Sequence, residues 1–577
     1  VGRPGGGMLV LRGHASIQGS TDIPTLYNIL PGYLPQPNAH SPHNTLDEYL
    51  KTEGSPTGAW NDQPKYVVSL LRAWYGDAAT KDNEWGYQWL PKIVGNHSHL
   101  PMTMAMVDRT IRGLFFFGQN PVVGGHHAVL FSRGLANLEW LVVREAFESE
   151  TAAFWHSSPE ITSGELRTRD IGTEVFLLPA SLVGEKEGTF TNTHRLVQWH
   201  DKVVEAPGDN RSELWFIDQL VKRLKAAAAD GGDPKDEPLR NLTWDYPTEG
   251  PHDEPSAEAV LKEINGYTWP DRRQVPGPGH LKADGSTACG CWIYCGAHPR
   301  DDFNQTRSRV PDGPDGPGTH AGWAFSWPGN RRMLYSRASA DPNGKPWSEA
   351  KRYAWWDETK GEWVGPDRID FPPNRPPNFE PDWGSKPVGM DAHDGRAPCS
   401  YTADGKIALF VPSGVKDGPL PTHYEPDESP VANPLYGVRG NPAAKTFGRD
   451  DSPRHAPADP RYPYVLTTYR LTEHHCGGMM TRVVPSTSEL QPEGFCEIAP
   501  EMARDLGIAN LDWGVITTAR AEIETRALVT ERMVPLTIDG RRVYQVGLPW
   551  HFGWLGFATG GVANRLTGIA LDPNCMI

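Results

Sequence analysis

Between residues 111 and 183 the chain repeats one pattern: an apolar run, a polar break, a stretch with helical spacing, and a further apolar run. The first run covers 113–117 and is broken by Gly118-Gln119-Asn120-Pro121. Val129, Leu130, Leu135 and Leu138 follow at helical spacing within 126–138, and Trp140-Leu141-Val142-Val143 is the second run. A second helix is predicted to start over 148–154, and 175–178 is a third run. Strand, helix, strand, helix, strand with short connections predicts parallel strands and right-handed crossovers. Ligands of such sheets sit beyond the carboxyl ends of the strands. That rule singles out Gly118, Gln119, Asn120 and Glu145.

The rest of the chain is less regular. Its first 40 residues are turn-rich around a strand-like run, Met8-Leu9-Val10-Leu11, which leads into Arg12-Gly13-His14. Helical spacing returns over 213–226. From about 227 to 460 periodicity is lost and Pro, Gly, Asp and Trp dominate. With 38% hydrophobic residues and 21 Trp, the chain has too much apolar material to be disordered, so this stretch is expected to be a packed irregular insertion. After 461 the pattern turns to strands (464–468 and 515–529), with a short helix at 500–506 that has Pro at its start and Gly507 as its stop. The fold class expected is α/β plus β: Rossmann-like parallel-sheet domains, the insertion, and a C-terminal β-barrel. The domain boundaries expected are 1–226, 227–455 and 456–577.

A net charge of −15 argues against general binding of nucleic acid. No run of 18 apolar residues is available to span a membrane. Seven cysteines are too few, and odd in number, for a disulfide framework. Cys289-Gly290-Cys291 with Cys295 lacks a CxxC pair, so structural thiols are expected there and no metal ligand is assigned. The chain does not begin with Met and reads as cut from something longer, which leaves its compartment undecided.

Four groups of residues suit an anionic ligand. Arg12 is a permanent planar donor fork, and Gly13 beside it allows close approach; a surface arginine would look the same. The Gly118 loop offers backbone N–H groups to a phosphate, with Glu145 placed to read a ribose or base, although the full GxGxxG signature is absent and an ordinary β–α turn fits as well. Glu187 to Arg195 brings small, amide and cationic groups together, which suits a polar cofactor and equally a capped turn. The stretch 467–482 holds two Arg, two His and several hydroxyls, suited to a hydrogen-bonding wall; Trp550 to Trp554, with His551, and Asn564 form a smaller set of the same kind.

In order and together, these motifs resemble the large (alpha) subunit of respiratory-type molybdopterin-dependent formate dehydrogenases. The resemblance runs through GRPGGGMLVLRGHASIQG at 2–19, GQNP at 118–121, EKEGTFTNTHRLVQWH at 185–200, DGSTACGCWIYCG at 284–296, GWAFSWPGNRRMLYSRASADP at 322–342 and TTYRLTEHHCGGMMTR at 467–482. It implies two-electron oxidation of formate to carbon dioxide at molybdenum or tungsten held by two molybdopterin guanine dinucleotides. Arg12 falls on the family's formate-holding arginine, with His14 close by. Gly13, Gly118, Gln119, Asn120, Glu145, Thr151, Gly188, Asn192 and Arg195 fall in segments that bind the cofactor. Arg470, His474, Thr481, Arg482, His551 and Asn564 fall where the C-terminal domain covers the pterins. Glu145 departs from the family's usual Asp. The family's [4Fe–4S] cysteines and its selenocysteine or cysteine metal ligand have no counterpart among the 577 residues, so a fragment is expected. The resemblance also implies an iron–sulfur electron-transfer subunit, a membrane cytochrome subunit and a periplasmic location. The rival readings are another molybdopterin oxidoreductase, acting on nitrate or an N- or S-oxide, an inactive scaffold that binds partner subunits, and a Trp-rich carbohydrate binder.

Overall fold

The computed structural model describes residues 11–54, 58–309, short stretches between 322 and 377, 428–432, 445–446 and 448–571. Most of the strand expected at Met8-Leu9-Val10-Leu11, and both Cys399 and Cys575, lie outside the described residues. Contacts group the chain into two discontinuous units. One holds the described residues up to 95, Val183–Ala206 and those from 212 to 377. The other holds Asn96–Leu182, Pro207–Arg211 and the described residues from 428 onward. Among the described residues no helix is long and apolar enough to cross a membrane.

The second unit contains the repeated pattern as far as Leu182. Strands β1 (Gly113–Phe117), β2 (Trp140–Glu145) and β3 (Glu174–Pro179) form a parallel sheet in the order β1-β2-β3. Helix α1 (Ala128–Leu135) joins the first two strands and α2 (Glu150–Ser157) lies between the second and third. Leu141, Val143, Phe131, Leu135, Ala152 and Phe154 are buried in one cluster between this sheet and its helices. Gly113 is needed at the edge of the sheet, because a β-carbon there would lie 1.9 Å from the indole of its cross-strand partner Trp140. Helix α1 is shorter than the spacing suggested; it begins after His127, whose Nδ1 accepts the Leu130 N–H, and ends at Leu135.

The later part of the same unit is a five-stranded mixed sheet. Its strands are β4 (Val465–Tyr469), β5 (Phe495–Ile498), β6 (Trp513–Thr517), β7 (Glu522–Val529) and β8 (Gln545–Pro549), in the order β4-β8-β5-β7-β6. Helix α3 (Pro500–Leu506) starts on Pro500 and stops at Gly507, whose φ is +68°, as its sequence requires. Ile498, Met502, Ile523, Ala527 and Leu548 are buried together between α3 and the sheet. The C-terminal β character expected from the sequence is present; among the described residues the outer strands β4 and β6 do not pair, so the sheet is open.

The first unit is built around aromatic packing. Trp292 stacks on Tyr66 with ring centroids 4.0 Å apart, and its indole N–H donates to the Gly32 carbonyl at 2.8 Å. Gly32 has φ +74°, and a β-carbon there would sit 2.5 Å from the same indole. Helix Glu213–Ala229 runs past its apolar face through Ala226 to Ala229, the residue type with the best helix propensity. The irregular insertion contributes helix Ala257–Asn265 and the buried segment around Cys289, Cys291 and Cys295. Cys289 Sγ donates to the Ile264 and Asn265 carbonyls at 3.4 Å. Burial pushes the Cys291 and Cys295 thiols well up, so these cysteines act as small apolar groups.

Candidate functional site

The loop leaving β1 turns at Gly118, whose φ of +60° would strain a residue with a β-carbon. Its N–H donates to the Arg144 carbonyl at 3.0 Å, and a β-carbon built on it would meet nothing within 4 Å. The glycine therefore serves its backbone angle and leaves open ground beside the strand end. Gln119 is exposed next to it. Glu145 is the last residue of β2 and is 7% exposed, with Oε1 accepting the Ala146 N–H at 2.9 Å. These three residues mark the carboxyl edge of the parallel sheet, where the sequence pattern placed them.

Asn120 and Thr151 face each other. Asn120 Oδ1 accepts the Thr151 N–H at 3.1 Å and the Thr151 hydroxyl at 2.9 Å. Its Nδ2 donates to Glu150 Oε2 at 2.7 Å. Glu150 then carries the network to the C-terminal part of the unit: Arg482 Nη2 donates to Glu150 Oε1 at 2.8 Å, with the two side chains 1% and 0% exposed. The Leu555 N–H donates to the same oxygen at 3.1 Å. Gly553 lets this happen, because a β-carbon there would come within 2.2 Å of that carboxylate. A buried pair of charges needs its remaining hydrogen-bonding capacity met in this way.

The stretch 467–482 is held by its own histidines. His474 Nε2 donates to the Gln491 carbonyl at 2.8 Å, and Nδ1 faces Thr481 Oγ1 at 3.2 Å. His551 Nε2 accepts the Leu471 N–H at 2.8 Å, and its Nδ1 donates to the Cys476 carbonyl. One ring nitrogen accepting and the other donating defines a neutral imidazole. Burial also lowers the His551 pKa, an effect that the Cys476 hydrogen bond partly opposes. Asn564 Nδ2 donates to the Val123 carbonyl at 2.7 Å, which ties this part to the loop after β1. Arg470 is exposed, with its guanidinium 5.3 Å from the Trp550 ring centroid.

The other candidates belong to the first unit. Arg12, Gly13 and His14 are exposed in the segment that leads through a bend and a turn into helix Ile17–Asp22. Ser16, at φ +59°, donates its N–H to Asn192 Oδ1 at 2.9 Å, and its hydroxyl accepts the Thr191 N–H at 3.2 Å. Gly188 opens the hairpin Gly188–Thr191/Val197–His200, and Arg195, at φ +65°, lies in its turn. Arg195 Nη1 is 3.7 Å from Asp22 Oδ1. Two participants were missed in the sequence. Glu150 stood beside a legible signal, a Ser-Glu pair opening an apolar helix. Asp22, in the polar Gly-Ser-Thr-Asp stretch, had none.

Comparison with known proteins identifies what the chain is similar to. Residues 464–577 match the molydopterin dinucleotide binding domain, and residues 176–223 match molybdopterin oxidoreductase. The chain is 37% identical over 599 residues to formate dehydrogenase 2 subunit alpha (cytochrome c-553) of Nitratidesulfovibrio vulgaris, with 100% of this chain aligned. The chain thus carries molybdopterin oxidoreductase and molydopterin dinucleotide binding segments. It is similar also to the formate dehydrogenase-O major subunit of Escherichia coli, 36% identical over 597 residues, and to the formate dehydrogenase alpha subunit of Megalodesulfovibrio gigas, 35% over 601, again along 100% of this chain. It spans 56% of the length of each of these curated relatives. The dinucleotide-binding match contains β4–β8 and with them Arg470, His474, Thr481, Arg482, His551 and Asn564.

Proposed function

We propose that this chain supplies the catalytic part of a formate dehydrogenase, which oxidises formate to carbon dioxide by two electrons at molybdenum or tungsten held by two molybdopterin guanine dinucleotides. The observation that carries the reading is identity of 35–37% along the whole chain to formate dehydrogenase alpha and major subunits. The described residues suit such a group. The open ground beside Gly118 lets a phosphate approach backbone N–H groups at the edge of the sheet, and Glu145 supplies an acceptor there for nucleotide hydroxyl or amino groups. Asn120, Thr151, His474, Arg482, His551 and Asn564 are engaged by protein partners, so their part is to fix the walls. Arg470 presents an exposed cation. Gly13, Gly188, Asn192 and Arg195 take the corresponding part in the first unit. In this reading the C-terminal sheet is one wall of a barrel. The partners are formate, an iron–sulfur electron-transfer subunit and a membrane cytochrome subunit, a [4Fe–4S] cluster is carried outside these residues, and the location is periplasmic.

When bound, the metal–pterin group supplies the two-electron redox chemistry. The chain's own residues bind and aim. Arg12, exposed on its turn, offers a planar donor fork that matches a carboxylate, and His14 follows two residues later. Gripping formate by its two oxygens leaves its single C–H bond as the free end of the substrate, which turns orientation into rate. Arg12→Ala in the full-length enzyme is expected to lower kcat/KM for formate about a hundredfold or more while metal content is retained. Near-normal formate kinetics in that variant would remove Arg12 from the reaction.

A further inference from the structure

Helix Ile17–Asp22 ends in a carboxylate that no solvent reaches: Asp22 is 0% exposed. Its Oδ1 accepts from Gln18 Nε2 at 2.7 Å and from the Tyr33 hydroxyl at 2.6 Å, and its Oδ2 accepts from the Tyr294 hydroxyl at 3.0 Å. The Arg195 guanidinium lies 3.7 Å away and is itself one-third exposed. Each of these four partners gives a proton or a positive charge, the pattern of an acceptor-only carboxylate. Burying a charge this completely costs several kcal/mol unless partners replace water, so its placement needs a reason.

That reason lies in what the helix joins. Upstream is the turn carrying Arg12, Gly13 and His14; Ser16 fastens it to Thr191 and Asn192. Gly19 brings the helix against the same strand, where a β-carbon would lie 3.2 Å from Thr191 Cβ and 2.8 Å from Ser16 Oγ. Downstream, Asp22 reaches Arg195 in the turn of that hairpin. Tyr294, and Cys291 Sγ at 3.6 Å from the Asp22 carbonyl, approach from the Cys-rich segment of the insertion. We infer that Asp22 is a positioning residue, whose buried carboxylate orients the Arg195 guanidinium and clamps the Arg12 turn to the hairpin, with Tyr294 as its strut. This rests on the proposed function only in taking Arg195 as a cofactor-facing cation. The insertion thereby acquires a mechanical role, since its buried thiol-and-tyrosine segment braces the arginine-bearing turn.

The test separates the clamp from the cofactor assignment. In the full-length enzyme, phenylglyoxal labelling of Arg195, mapped by mass spectrometry, is expected to speed up about fivefold in Asp22→Asn, the scale of one partly exposed ion pair, and less in the milder Tyr294→Phe. Unchanged labelling in both variants overturns the clamp. Retained pterin and guanine nucleotide are then measured in Asp22→Asn, Arg195→Ala and the double variant. Acting through Arg195, Asp22→Asn is expected to reduce retention alone but to add nothing in the Arg195→Ala background; additive losses overturn the inference. If labelling accelerates while Arg195→Ala keeps its full nucleotide, the clamp stands and the cofactor role of Arg195 falls.

Discussion

Arg482 and Glu150 place opposite charges where almost no water reaches, 332 residues apart in sequence. Such a pair is weak evidence of net stability, but breaking it from one side is costly because the other charge is stranded. Glu150→Gln keeps the shape and removes the charge. It is expected to cost about 3–5 kcal/mol, measured by denaturant unfolding of the full-length enzyme. Replacing both residues, as Glu150→Gln with Arg482→Met, is expected to recover part of that loss. A Glu150→Gln variant that unfolds with the wild type would show that Arg482 has another partner of equal strength. Arg482 reads in the sequence as a ligand-facing cation; the fold gives it a carboxylate of its own, so any part it has in cofactor binding is exerted through the wall it holds.

At the scale of elements, two short pieces set the carboxyl edge of the β1–β3 sheet: the Gly118 loop and the start of α2. Ser149 caps α2, its hydroxyl accepting the Ala152 N–H at 3.4 Å, and so fixes the register of Glu150 and Thr151. Ser149→Ala is expected to cost about 1 kcal/mol, and hydrogen exchange of the α2 amides should report the fraying. Protection equal to wild type would mean that Asn120 and Arg482 hold the helix start without the cap. Gly118 tests backbone angle alone, because a β-carbon there has open space. Gly118→Ala is expected to cost about 1–2 kcal/mol and Gly118→Asn less, since Asn tolerates the left-handed region; equal melting temperatures for Ala, Asn and Gly would contradict the geometry.

At the scale of the molecule, the two units carry buried titratable groups of opposite sense. In the second unit burial lowers the pKa of His99, His127 and His551, that of His127 to about 4. Each binds protons more readily when unfolded, so the stability it lends is present above its usual range near 6.5 and is lost as pH falls toward the folded value. In the first unit burial pushes the Glu263 carboxyl up to about 7, although it accepts the Tyr246 hydroxyl at 2.7 Å. Here the folded state holds the proton longer, so stability is present at low pH and is lost as pH rises from about 4.5 through 7. Between pH 5 and 7, after correction for intrinsic exchange, amide protection should fall with rising pH in helix Ala257–Asn265 and rise in α1. Parallel slopes would refute the opposed linkage. How much of this was legible in the sequence follows the range of each interaction. The parallel pairing of β1–β3, helix α3 with its Gly507 stop, and the positions of Gly118 and Glu145 at strand ends could be read directly, because hydrophobic period and turn chemistry are local properties of consecutive residues. The motifs likewise pointed to the formate dehydrogenase subunits to which the chain is similar along its whole length. The sequence could not show that Glu150 would neutralise Arg482, that Asp22 would take three donors and a guanidinium, or that the insertion's Tyr294 would reach it. Those facts depend on which distant side chains share a dry environment, and burial, which makes an unpaired charge costly and a paired one specific, exists only once the chain has closed around it.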